Sequence, residues 1–273
     1  MIDWSTLHDV YGPAHAIPGL LDRAIGGDQE AVDRRWGRLC HQGTITPASI
    51  AALPQLAGIA KTEDVGDWAL DLAGAIASGL LQHHGADEEV ARCAATLAEL
   101  RAMAAARLRS CLDGKTYLSR LRAMLAFDGQ ILWSEALDDF TDSFVTVACP
   151  HCDAPVTIAV GDYGCYSSIR DGNLGDVHQV ELRPAVPHEL IGTGRMLYES
   201  AVRDGRERLD WGLTHLLGRA ERPGCGSVFG IADEYAAAQH PPHGTSPEAT
   251  PRTLSDDHRQ GPRSRTVNSC PLS

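Results

Sequence analysis

Thr46-Pro47-Ala48-Ser49-Ile50-Ala51-Ala52-Leu53-Pro54-Gln55-Leu56-Ala57-Gly58-Ile59-Ala60 decides the fold class. Pro47 stands where a helix tolerates proline, at its first position, and Ile50, Leu53, Leu56, Ala57 and Ala60 recur at helical spacing behind it. Upstream, Asp28 to Cys40 opens on an Asp in N-cap position and places Val32, Trp36, Leu39 and Cys40 on one stripe. Downstream, a helix from about Gly66 carries Trp68, Leu72, Ala75, Ile76 and Leu80 and ends at His83-His84-Gly85, as a helix end favours. A fourth runs from Asp87 towards Ser110 and a fifth from Thr116 to Ala126. Helix after helix, joined by short Gly/Pro loops, fits paired-helix repeats, with a compact helical bundle as the alternative.

Composition agrees. Hydrophobic residues make up 43%, so the chain can bury a sizeable core, and aromatics only 5%, so that core is built from Leu, Ala, Ile and Val. Such a core suits close-packed helices better than a β-sandwich. The formal net charge of -12 repels phosphate backbones and disfavours nucleic-acid partners. Met1-Ile2-Asp3-Trp4 shows no basic segment ahead of an apolar one. The longest apolar run, Trp68 to Leu81, is interrupted by Asp71 and too short to span a bilayer. A cytoplasmic location without membrane attachment is therefore expected, with the eight cysteines mostly reduced.

The character changes near residue 130. Phe144-Val145-Thr146-Val147-Ala148 leads into Cys149, and Pro155-Val156-Thr157-Ile158-Ala159-Val160 follows Cys152, which reads as two short strands about a tight knuckle. Residues 161–190 are polar and Gly-rich and read as a long loop; Gly194 to Leu217 is helical again; Arg222 to Phe229 is a turn running into a short strand. From His240 the chain is almost free of apolar residues and reads as a disordered tail. The expected organisation is mainly α: a helical repeat over 1–130, a small α+β ribbon-like module over 131–239, and the tail over 240–273.

Cys149-Pro150-His151-Cys152 is the motif richest in chemistry. Two thiolates at this spacing grip one tetrahedral metal while the knuckle backbone donates to the sulfurs. A zinc ribbon needs a second knuckle, and Arg222-Pro223-Gly224-Cys225-Gly226 has its shape, with Arg222 where the first thiolate belongs. A protonated guanidinium offers no lone pair to a metal. Three readings stay open. Cys149, Cys152 and Cys225 bind zinc with a fourth ligand drawn from Cys165, His151, His178 or His215; or the site has decayed and packing holds the module; or the CxxC is redox-active. A catalytic zinc lacks a nearby HExxH-like base.

Other conspicuous residues have plainer readings. His41-Gln42-Gly43-Thr44 reads as a helix C-terminus with a glycine cap, Tyr11-Gly12-Pro13 as a turn, and Asp138-Asp139 with Asp142 as a solvated helix face or cap. Cys40, Cys93 and Cys111 lie on or near apolar helix faces. There is no phosphate-cradling glycine motif, no GxSxG and no credible Ser/His/Asp spacing.

Asp3-Trp4, Tyr11-Gly12, Ile17-Pro18 and Leu20-Leu21, followed by Trp36 to Ile45 with Pro47-Ala48 and then Leu53-Pro54-Gln55-Leu56, resemble a group of actinobacterial HEAT-repeat-like proteins. The resemblance covers about residues 3–125, and the second half looks like a zinc-ribbon appendage whose second knuckle departs from the usual CPGCG at Arg222. It implies an α-solenoid scaffold, in some bacterial cases an immunity factor beside a secreted toxin. The expected function is a non-enzymatic protein-binding scaffold, with an immunity or regulatory role, whose acidic surface favours a basic protein partner. The rivals are a zinc-ribbon regulatory or nucleic-acid-associated module and a zinc- or Cys-dependent enzyme.

Overall fold

Capping residues set the helix starts. In the computed structural model, which describes residues 2–62, 65–82, 87–111, 113–139, 144–161, 164–169 and 178–239, Asp28 accepts from the Ala31 N–H to open α2 (Gln29–Leu39), behind α1 (Ile17–Ile25). Thr46 and Ser49 form a reciprocal capping box that opens α3 (Pro47–Ala60). Asp113 caps α6 (Gly114–Phe127), which follows α4 (Gly66–Gln82) and α5 (Asp87–Leu108). Helix α7 (Ile131–Asp139) leads towards the sheet region.

The helices pack in an ordered way. α1 lies on α2, α3 on α4, and α5 on α6; α3 also lies beside α5, and α4 beside α6. Close approach is built in: a Cβ added at Gly74 of α4 would sit 2.7 Å from the Ala123 Cβ of α6. Leu53 and Leu56, Leu70, Leu72 and Ile76, Leu100 and Leu121 are fully buried between these helices.

One buried arginine reaches from this stack to partly exposed carboxylates. The fully buried Arg120 places Nη2 3.0 Å from Asp67 Oδ1 and Nη1 3.4 Å from Asp71 Oδ1. Arg107 joins Asp67 at 3.0 Å and donates to the Ala60 and Thr62 carbonyls. The Arg35 guanidinium lies 4.3 Å over the Trp68 ring. Burial pushes the Asp71 carboxyl up, against the pull of Arg120 and the Ser119 hydroxyl.

Two small hairpins and a sheet complete the described chain. β1 (His8–Asp9) pairs with β2 (Gly12–Pro13), and buried Asp9 accepts from Arg38 at 2.5 Å, pinning this turn to α2. β3 (Phe144–Ala148), β4 (Pro155–Gly161), β5 (Gly164–Ser168) and β6 (Gln179–Glu181) form an antiparallel meander. α8 (Gly192–Arg203) and α9 (Glu207–Leu216) follow, then the hairpin β7 (Arg219–Glu221) and β8 (Val228–Gly230), then α10 (Ile231–Gln239). Arg183 and Arg219 exchange backbone hydrogen bonds, which ties the β7–β8 hairpin to the chain leaving β6. Residues 1–241 cluster as one compact unit.

Four readings of the sequence change. The expected loop over 161–190 contains β5 and β6. Polar β5 is buried because its hydroxyls are satisfied: Ser167 Oγ donates to the Glu221 carbonyl at 2.6 Å. The helical stretch 194–217 is two helices, broken where Gly205 adopts φ +65°. His41 to Thr44 is a tight turn instead of a glycine cap, with Gln42 and Gly43 both at positive φ and the Thr44 N–H donating to the His41 carbonyl. α10, which packs on β3, was not anticipated. His83-His84, Asp142 and the tail expected from residue 240 lie outside the described residues.

Candidate metal centre

Each knuckle is shaped by its own backbone. At the first, the Cys149 N–H donates to the Ala154 carbonyl and the Asp153 N–H to the Cys149 carbonyl, with Asp153 at φ 57° closing the turn. Cys149 thus stands at the end of β3 and Cys152 at the tip of the β3–β4 connection. At the second, the Arg222 N–H donates to the Ser227 carbonyl and the Gly226 N–H to the Arg222 carbonyl, which holds Cys225 in the turn between β7 and β8. Gly224 at φ +109° and Gly226 at φ +70° allow a turn that side chains would strain.

The fold brings the two knuckles together. The sulfurs of Cys149, Cys152 and Cys225 all lie within 4.8 Å of one another; Cys225 Sγ is 3.8 Å from Cys149 Sγ and 3.9 Å from Cys152 Sγ. These separations suit ligands of one metal ion, and the three thiols are unbridged. Thiolates bound at ~2.3 Å around a tetrahedral zinc stand about 3.8 Å apart. Cys149 is buried, whereas Cys152 and Cys225 are exposed, so the cluster is closed on one side and open on the other.

The thiols are not equivalent. Burial pushes Cys149 up, but the His151 and Cys152 backbone N–H groups and the neighbouring thiols outweigh it and leave Cys149 below an ordinary thiol. At Cys152 the Ala154 N–H pulls down, with help from Arg222, but burial and the sulfurs of Cys149 and Cys225 prevail and raise it. Of these two, Cys149 is the one whose surroundings favour the thiolate.

The expected fourth ligands are elsewhere. Cys165 sits in β5 opposite Val160, half-buried at the edge of the core, and burial raises its thiol. His215 is buried, with Nδ1 2.9 Å from the Trp211 carbonyl and its ring 4.6 Å from the Trp211 ring. His151 and His178 also lie outside the group. Among the described residues no His, Asp or Glu joins the three sulfurs. Arg222 occupies the fourth position of the two-knuckle pattern. Its Nε is buried without a hydrogen-bond partner, and its Nη1 reaches only the Pro223 carbonyl, at 3.5 Å.

Two hollows stand out, one at the first knuckle and one at the other end of β4. One of about 350 Å³ runs along the first knuckle and α10, lined by Cys149, His151, Cys152, Asp153 and Glu234; neither Cys225 nor Arg222 lines it. The other, of about 520 Å³, lies where α6, β4 and α9 meet, lined by Tyr117, Leu118, Val160, Arg206, Trp211 and Leu213. Sequence reading missed both. Trp211, 44% exposed in a helix dense with charge, was the available signal for the second.

No protein-family model matches the chain, and no curated protein and no solved structure matches it. No helix among the described residues is long and apolar enough to cross a membrane.

Proposed function

We propose that the protein is a non-enzymatic binding scaffold: a HEAT-like stack of helix pairs carrying a zinc-ribbon-like module whose two knuckles are clamped by a metal. The packing order carries this reading. α3 pairs with α4 and α5 with α6, and each helix also lies beside its counterpart in the next pair, which is how a solenoid grows. The buried Arg120 and its neighbour Arg107 form ion pairs with Asp67 and Asp71 of α4. The three-thiol cluster supports the clamp, because it joins residues 76 positions apart in the chain.

The surface of a chain with net charge -12 favours a basic protein partner, as an immunity or regulatory protein would meet in a cationic target. The test is capture from a host lysate at physiological salt, followed by titration of each identified partner across ionic strength. A cationic partner whose affinity falls steeply with salt supports the reading. An acidic partner, or a salt-independent affinity, overturns the charge argument.

A further inference from the structure

We propose that Cys149, Cys152 and Cys225 form an open-cornered zinc centre whose fourth coordination position, beside the Arg222 guanidinium, takes a small anionic thiol from solution. The inference deepens the metal-clamp reading and rests on it. The second knuckle keeps its backbone: the Arg222 N–H still donates to Ser227 and its carbonyl still accepts from Gly226. Only the ligand at position 222 is missing, so the corner a fourth thiolate would fill lies at this turn. Gly224, Cys225 and Gly226 are exposed there, and Cys152 opposite them is exposed as well. A solvent ligand can therefore reach the metal. Asp153 and Glu234 line the hollow along the first knuckle, which Arg222 and Cys225 do not border.

Charge decides what enters. Zinc with three thiolates carries one net negative charge, so a further anion is opposed unless a cation stands beside the site. Arg222 is that cation. Its Nη1 is 3.2 Å from where a Cβ on Gly224 would lie, in the same turn as Cys225. A closed four-thiolate site has no use for such a group; an open one gains a counter-charge for the incoming ligand. Zinc retains a water in the fourth position when the protein supplies three ligands. The step is a substitution: the incoming thiol gives its proton to solvent, its sulfur bonds to zinc, the water leaves, and nothing is oxidised or reduced.

The test uses the full chain loaded with cobalt(II), whose visible spectrum reports the ligand set. Mercaptoacetate and 2-mercaptoethanol are titrated in parallel, and retained metal is measured after gel filtration. The expected result is a saturable spectral change with metal retained, and a preference of about fivefold for the anionic thiol, the scale of one exposed charge pair. Arg222→Gln keeps the response and loses the preference. Arg222→Cys closes the site, abolishes the response and binds metal at least ~10-fold more tightly. A cobalt spectrum unmoved by either thiol, with metal retained, overturns this inference and leaves the clamp standing. Stripping of the cobalt without a saturable intermediate overturns it too. Failure of the wild-type chain to bind cobalt or zinc overturns both. If Arg222→Cys does not fold, the Arg222→Gln comparison alone decides: an unchanged preference sinks the role given to the guanidinium.

Discussion

The α3–α6 stack and the two-knuckle module hold together by different means. In the stack, leucines and alanines interlock across long helices, and Leu53, Leu56, Leu72, Ile76 and Leu100 have no exposed surface. In the module, β6, β7 and β8 are each three residues long, and buried Ser167 and Ser168 stand opposite Ile158 and Thr157. The Arg183–Arg219 backbone pair and the Ser167 hydroxyl tie the β7–β8 hairpin to the sheet, and the proposed clamp would add a link between the two knuckles. Many small contacts hold the stack, whereas the module draws more on a few directed ones.

If the proposed clamp holds a metal, the largest effect should come from removing it. Structural zinc contributes ~10–16 kcal/mol of apparent binding free energy in zinc-finger peptides at neutral pH. Chelation, or Cys149→Ser, is expected to raise amide exchange across β3, β4, β7 and β8 by at least ~100-fold while α3–α6 keep their protection. Hydrogen exchange with mass readout separates the two regions. Equal loss of protection in both would break the contrast, because the stack would then depend on the module.

Next in size is the buried charge of the stack. Arg120→Ala strands Asp71 in a site that already disfavours its carboxylate and opens a cavity, and should cost about 3–5 kcal/mol in urea titrations. Arg120→Met fills the volume and should recover most of that loss. If both variants are equally destabilised, the Arg120–Asp67–Asp71 network does more than neutralise itself, and the stack is less purely apolar than the contrast requires.

The joint between the regions comes third. Tyr117 of α6 donates to Asp204 Oδ2 at 3.0 Å, Arg203 donates twice to the same carboxylate, and the Arg206 guanidinium lies 4.6 Å over the Tyr117 ring. The Arg203 hydrogen bonds, then Tyr117, hold Asp204 below an ordinary carboxyl against its burial. A depressed folded pKa contributes stability above the unfolded value of ~3.9, and that stability is lost as pH falls through the lower folded value. Asp71, raised by burial, acts in the opposite sense and gains as pH falls. Asp204→Asn should cost ~1.5 kcal/mol at neutral pH, the low end for charged hydrogen bonds because Arg203 is half exposed. The difference from wild type should close as pH falls through the lowered folded pKa. A gap that persists in acid would mean that shape, and not charge, makes the joint.

What the sequence disclosed follows the same division. Helical periodicity and caps are local, so α2 to α6 were readable within a few residues from Asp28, Pro47 and their apolar stripes. The knuckle pair was readable because CxxC and PGCG are local shapes as well. β5 was not, since Gly164-Cys165-Tyr166-Ser167-Ser168 becomes a strand only when β4, β6 and the Glu221 carbonyl satisfy it. Cys165 misled for the same reason: a cysteine in a polar stretch suggests a ligand until strand pairing turns it to the core edge. That position 222 carries no ligand was legible in Arg222 itself, and the separation of His151, His178 and His215 from the sulfurs was not, because it depends on packing.

The smallest expected effect tests how much of the stack is local. Thr46 accepts from the Ser49 N–H through its hydroxyl, and the Ser49 hydroxyl accepts from the Thr46 N–H at 2.9 Å, so two donors at the start of α3 are satisfied without tertiary help. Thr46→Ala removes one of them and should cost ~1 kcal/mol, with the denaturant slope unchanged. Adding Ser49→Ala should cost less than a second independent cap, since the two hydroxyls serve one another. Were Thr46→Ala instead to cost several kcal/mol, the tight His41–Thr44 turn that feeds α3 would have to be failing with it. Ile45, which packs against Gly79 of α4, would then be the element that carries the loss into the stack.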